Sequence, residues 1–111
     1  LILDTSSVIS RVKKGVEIWE NITVVSLIEY PPILDYENFH GEIYFPTRAE
    51  QLRAVHLQKR LRVIGKPLGA SDLLIAAVCL NRNEELVTMD EDFLVIREVE
   101  PSFKMILEKF V

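Results

Sequence analysis

Five acidic residues, Asp4, Glu29, Asp72, Asp90 and Asp92, fall at places where a carboxylate is hard to explain as surface decoration. Asp4 directly follows the apolar run "LIL", and Asp90 comes two residues after "ELVT" (85–88). Glu29 comes shortly after the β-branched run "ITVV" (22–25). Asp72 heads a stretch that is apolar or small from Leu73 to Leu80, with no adjacent Lys or Arg. Two carboxylates about 4 Å apart repel by roughly 4 kcal/mol at an effective dielectric of about 20. A cluster of four therefore needs protons or cations to compensate it. Hard divalent ions with oxygen ligands, above all Mg²⁺ or Mn²⁺, are the natural compensation. No His or Cys lies near these positions in sequence, which makes zinc a poor candidate.

The elements that would gather these acids can be read from the pattern. "LIL" (1–3), "ITVV" (22–25), "EIYF" (42–45) and "ELVT" (85–88) read as short strands in continuous apolar runs. Helices are expected between them. One follows Thr5 or Ser6 and ends at Gly15. Residues 47–64 form a second, with Thr47 and Glu50 spaced as a capping box. Residues 71–82 form a third, apolar all round and hence central. A helix near 91–96 and a last one starting at Pro101 complete the expectation. Ser26 opens "SLIEYPPIL", whose prolines disturb any helix there. Strands alternating with helices predict an α/β fold with a parallel sheet of four or five strands sandwiched by helices, in one domain spanning 1–111. In an open parallel sheet, ligands collect at the carboxyl ends of the strands. Asp4 and Asp90 then face one crevice, with Glu29, Asp72 and Asp92 near the same edge.

Each acid also has a structural explanation when taken singly. Asp72 suits the positive end of its helix dipole. Glu29 lies three residues after Ser26, again the spacing of a capping box. Asp90 can cap a helix that starts at Glu91.

The chain of 111 residues is 49% hydrophobic and 27% charged, enough to bury a real core. Its formal net charge of −4 argues against a generally basic nucleic-acid binder, but not against a nucleic-acid enzyme whose metal ions offset its acids. The single cysteine, Cys79, lies inside the apolar run, so there is no disulfide framework and no cysteine metal site. The longest apolar run is far too short to span a membrane, and the given sequence carries no signal-peptide pattern. A cytoplasmic protein with no membrane partner is expected.

At this point a resemblance appears. "LILDTS" (1–6), "VVSLIEY" (24–30), "GKPLGASDLLIAA" (65–77) and "LVTMDEDF" (86–93) resemble the PIN-domain ribonucleases in order and spacing, over nearly the whole chain. Within that family the style is similar to the small prokaryotic toxins of VapC type. The resemblance implies a metal-dependent ribonuclease site with Asp4, Glu29, Asp72 and Asp90 as its four acids and Asp92 as an additional one. It further implies that Thr88 and Ser6 order the site, that the protein forms a homodimer, and that a cognate antitoxin inhibits it. Pro31 and Pro32 depart from the pattern, because they follow Glu29 where many members continue a regular helix.

The segment 46–66 holds six of the chain's 13 basic residues against one acid, Glu50. At helical spacing Ala54, Leu57, Leu61 and Ile64 form a core stripe. Arg48, Lys59 and Arg62 gather opposite, with Leu52 and Val55. That face is a solvated surface, an RNA-phosphate contact or a subunit contact. Three function classes follow: a metal-dependent ribonuclease acting on RNA, a catalytically silent binding or assembly module, and a receiver-like phospho-acceptor. The last needs an acceptor Asp after a middle strand and a Lys after a late one, and neither is in place.

Overall fold

The computed structural model describes residues 1–109. Five short strands, β1 (Ile2–Leu3), β2 (Ile22–Thr23), β3 (Ile43–Tyr44), β4 (Leu86–Thr88) and β5 (Met105–Leu107), alternate with five helices. These are α1 (Thr5–Lys14), α2 (Val24–Glu29), α3 (Arg48–Val63), α4 (Ala70–Arg82) and α5 (Ile96–Val99). Turns of 3₁₀ helix occupy Pro31–Asp35 and Glu91–Val95. All strand pairings are parallel: β1 with β4, β4 with β5, and β2 with β3. A parallel bridge from Ile2 to Asn21 joins the two groups, giving the spatial order β3-β2-β1-β4-β5.

That order explains the two-sided core. Successive residues of a strand point to opposite faces, and β1 and β4 split accordingly. Ile2 and Leu86 pack with Leu57, Leu61, Ile75, Phe93 and Ile96 on one face. Leu3 and Val87 pack with Val8, Ile18, Ile22 and Ile33 on the other. Helix α4 is buried along Ile75–Cys79 against the first face, as its unbroken apolar run predicts. No helix among the described residues is long and apolar enough to cross a membrane.

Local signals account for most boundaries. Gly15 ends α1 at φ 69°, a conformation that glycine adopts without strain. The capping box of α3 is complete: Thr47 Oγ1 accepts from the Glu50 amide at 3.1 Å, and Glu50 Oε1 accepts from the Thr47 amide at 2.8 Å. Glu50 is buried and does a second job, receiving Arg82 Nε at 3.0 Å and Nη2 at 3.1 Å, which ties α3 to α4. Burial alone would raise the Glu50 pKa; Arg82 and the Thr47 amide outweigh it and hold the carboxyl below its ordinary value.

Five expectations need correction. The run 22–25 is a strand only at Ile22–Thr23; Val24 already begins α2, and the helical path buries Val25 and Ser26. Ser26 therefore lies inside α2 and is not its cap, and the prolines start the following 3₁₀ turn. Helix α1 begins at Thr5, with Asp4 in the capping position but making no side-chain cap. No helix starts at Pro101: that residue lies in a turn closed by Phe103 N–H to Glu100 O at 3.0 Å, and Met105–Leu107 add a strand to the edge at β4. Ile64 is 41% exposed and lies outside the core stripe that buries Ala54, Leu57 and Leu61.

Replacing Arg82 by Met leaves the Glu50 carboxylate buried without its partner. Such a loss destabilises by about 3 kcal/mol. A urea titration at neutral pH is expected to show the midpoint falling at constant slope, with the deficit shrinking at acid pH as Glu50 becomes protonated.

Candidate metal-binding acidic site

The strand order reverses direction at β1, where the chain returns to place β4 on its other side. Such a switch point leaves a crevice at the carboxyl ends of the two strands. Asp4 stands at the end of β1, and its amide donates to Val87 O at 2.8 Å, so the strand register brings it beside Thr88. Thr88 Oγ1 donates to Asp4 Oδ2 at 2.8 Å, and Ser6 Oγ donates to the same oxygen at 3.1 Å. Each hydroxyl also accepts a backbone proton from the loop after β4, Thr88 from the Asp90 amide at 3.0 Å and Ser6 from the Met89 amide at 3.3 Å. The ordering role expected of Ser6 and Thr88 thus has a concrete geometry. They fix one oxygen of Asp4 and the path of the chain into Asp90.

Asp90 Oδ1 accepts from the Asp92 amide at 2.9 Å and caps the 3₁₀ turn Glu91–Val95. The capping explanation of Asp90 therefore holds for one of its two oxygens. Asp72 lies in the first turn of α4. It makes no hydrogen bond or ion pair among the described residues. Its pKa is raised to about 6, by burial first and then by repulsion from Asp4, Asp90, Glu29 and Asp92 in that order. The other four acids named from the sequence thus all lie close enough to act on Asp72. The Asp4 pKa is also raised; burial dominates, Thr88 and Ser6 oppose it, and Asp90 adds to it. None of the five carboxylates forms an ion pair among the described residues.

Glu29 closes α2, and Thr5 Oγ1 donates to its Oε1 at 2.6 Å. The same Thr5 oxygen lies 2.9 Å from Ser26 Oγ. Neither Thr5 nor Ser26 stood out in the sequence as part of the site. Their contact spans 21 residues of chain and depends on the helical path of α2, which the β-branched run concealed.

Of the basic residues in α3 and the loop after it, Arg53 and Arg60 pair with Glu100, and Lys66 pairs with Glu98. Arg48, Lys59 and Arg62 are exposed and form no ion pair among the described residues. Lys59 and Arg62 flank a groove of about 460 Å³ between α3 and α4, floored by Ala54, Val55, Leu73 and Leu74. Arg48 does not line it.

The donor set suits a hard divalent cation. It is all oxygen, carries no compensating Lys or Arg, and includes in Asp72 a half-buried carboxylate without a partner. Among the described residues no three His, Cys, Asp or Glu side chains form a ready-closed ligand set.

A family model for the PIN domain matches residues 33–99, more than half of the chain, and the chain belongs to the PIN domain family. The matched stretch contains Asp72, Asp90 and Asp92, while Asp4 and Glu29 precede it. The fold is similar to that of a chain in the crystal structure of VapBC2 from Rickettsia felis bound to a promoter DNA fragment. That similarity has a TM-score of 0.77 at 18% identity, over 97% of this chain and 98% of the other. DNA-bound VapBC from Salmonella typhimurium gives a TM-score of 0.76 at 17% identity, covering 95% of each chain. VapBC-1 from nontypeable Haemophilus influenzae gives 0.71 at 18%, covering 96% of each. No curated protein sequence matches the chain significantly. The α/β architecture with a parallel sheet between helices is thus the PIN fold expected from the motifs.

The electrostatics of Asp72 make a signed prediction. Its folded-state pKa of about 6 lies above the ordinary 3.8, so between these values the folded state binds more protons than the unfolded one. Stability then falls as pH rises through that window and stays reduced above it. In chelator, Asp72→Asn is expected to melt higher than the wild type at about pH 7.5 and to match it near pH 4. Thermal melts at the two pH values read this directly, and parallel curves for the two proteins would contradict it.

Proposed function

We propose that the chain is a divalent-metal-dependent endoribonuclease, with Mg²⁺ or Mn²⁺ as cofactor, and the toxin of a toxin–antitoxin pair in the cytoplasm. The observation that carries this reading is Asp72: a half-buried carboxylate in reach of four others, with no ion pair among the described residues. In this reading Asp4, Asp72 and Asp90 hold the principal ion, and Glu29 and Asp92 complete its surroundings. A bound ion supplies an activated water and offsets the charge that develops on the phosphate and leaving oxygen. Ser6 and Thr88 keep Asp4 in one orientation, so that one of its oxygens stays free of hydroxyl donors. Lys59 and Arg62, with Arg48 further along α3, offer phosphate contacts to the RNA strand.

Two features bear on partners. Leu52 and Val55 are 52% and 56% exposed among charged residues of α3, which supports burial between two copies in a homodimer. The similar solved structures are VapBC complexes, and that likeness supports a cognate antitoxin for this chain. An antitoxin segment carrying Arg or Lys would neutralise the acidic edge.

Purified protein is expected to cleave RNA in Mg²⁺ or Mn²⁺, to stop in excess chelator, and to lose orders of magnitude in rate on Asp72→Asn with the fold intact. An Asp72→Asn protein that cleaves at the wild-type rate, or cleavage that persists in chelator, would contradict the site; no cleavage with any RNA would favour the silent binding module. Light scattering at micromolar concentration is expected to report a dimer, and a clean monomer with and without metal would remove that part of the reading.

A further inference from the structure

The Thr5 hydroxyl links a buried residue to an exposed one. Its oxygen lies 2.6 Å from Glu29 Oε1 and 2.9 Å from Ser26 Oγ. A carboxylate only accepts hydrogen bonds, so Thr5 spends its single proton on Glu29. Ser26 must then donate to Thr5, which fixes the direction of the whole chain of bonds: Ser26 to Thr5 to Glu29. Bonds aligned in this way polarise one another and strengthen the last one.

The two ends of the relay are anchored. Ser26 is fully buried on α2, three residues before Glu29 on the same helix, so the two side chains share a face. Thr5 is the first residue of α1 and the direct neighbour of Asp4. The relay therefore connects the helix that carries Glu29 to the strand end that carries Asp4. Nothing else holds this carboxylate among the described residues: Glu29 has no ion pair and no other side-chain bond. It is the last residue of a six-residue helix, followed within two positions by Pro31 and Pro32, which start a different turn. Without Thr5 its long side chain would sample open solvent.

We propose that Thr5 and Ser26 are positioning residues that hold Glu29 against the start of α1, next to the strand end that carries Asp4, for capture of a divalent cation. This rests on the acidic-site reading above and extends it to two residues outside the acids.

Mn²⁺ titration calorimetry on the full chain tests it, with melting in chelator as a control for folding. Thr5→Val keeps the shape and removes the donor; it is expected to weaken Mn²⁺ binding about tenfold and, because it also leaves the buried Ser26 hydroxyl without its partner, to lower the melting temperature in chelator. Thr5→Ser restores the donor and should bind like the wild type, while Ser26→Ala should lie between. In a Glu29→Gln background, Thr5→Val should have no further effect, because its influence runs through that carboxylate. A purely structural role would instead weaken binding equally in both backgrounds. If Thr5→Val binds Mn²⁺ like the wild type while Glu29→Gln weakens binding, the relay is wrong and the acidic site stands. If the wild type binds no Mn²⁺ at all, the site reading falls and takes the relay with it.

Discussion

Uncompensated negative charge at the carboxyl edge of the parallel sheet is the constraint around which the rest of the molecule is arranged. Asp4 and Asp90 sit at the ends of adjacent strands, and Asp72 feels both, together with Glu29 and Asp92. Repulsion of this kind is relieved most simply by a nearby Lys or Arg, yet the chain directs those elsewhere. Arg11 engages Glu108, Arg82 engages Glu50, and Arg53 and Arg60 share Glu100. Each of these pairs joins two elements, so the cations act as ties in the scaffold while the edge is left anionic. The scaffold has to be strong for that reason. Two buried clusters on opposite faces of the sheet hold β1 and β4 in register against the charges at their ends.

Register alone would leave the side chains free, and two hydroxyls remove that freedom. Ser6 and Thr88 each hold Asp4 with one hydrogen bond and receive another from the backbone leading to Asp90. Asp4 cannot turn away without breaking contacts that also shape the loop after β4. The position of one acid is thus coupled to the position of the next through atoms that carry no charge. Hydrogen bonds to an ionised group are worth more than neutral ones, so the same hydroxyls moderate the pKa that burial pushes up in Asp4. Asp72 has no such help, and burial together with the neighbouring acids pushes its pKa up to about 6.

What the sequence revealed follows the range over which its signals act. The capping box at Thr47 and Glu50, the Gly15 stop and the apolar run of α4 are local codes, and the structure contains all three. The acids could be assigned to one edge because strand ends in a parallel sheet share an edge whatever the details. The failures are of another kind. "ITVV" favours extended backbone by propensity, but packing of Val25 and Ser26 turns its second half into helix. "MIL" near the end is too short for its periodicity to separate strand from helix, and pairing with β4 decides it. Ile64 continued the helical spacing but lies one position past the end of α3, where the chain has turned outward. Thr5 and Ser26 were out of reach because a hydroxyl relay between distant residues leaves no mark on composition or spacing.

The position of α4 bears on the choice between an enzyme and a silent module. Its first turn carries Asp72, while Ala70, Leu73 and Leu74 line the groove flanked by Lys59 and Arg62. One helix therefore borders both the acidic edge and the groove flanked by Lys59 and Arg62, which form no ion pair among the described residues. An RNA strand approaching the acids alone would be repelled. Cations one helix away supply attraction over roughly a Debye length, about 8 Å at physiological salt, without neutralising the carboxylates themselves. Acids oriented by hydroxyls on one border of α4 and exposed cations on the other are the arrangement on which the proposed enzyme reading rests, in preference to a silent module.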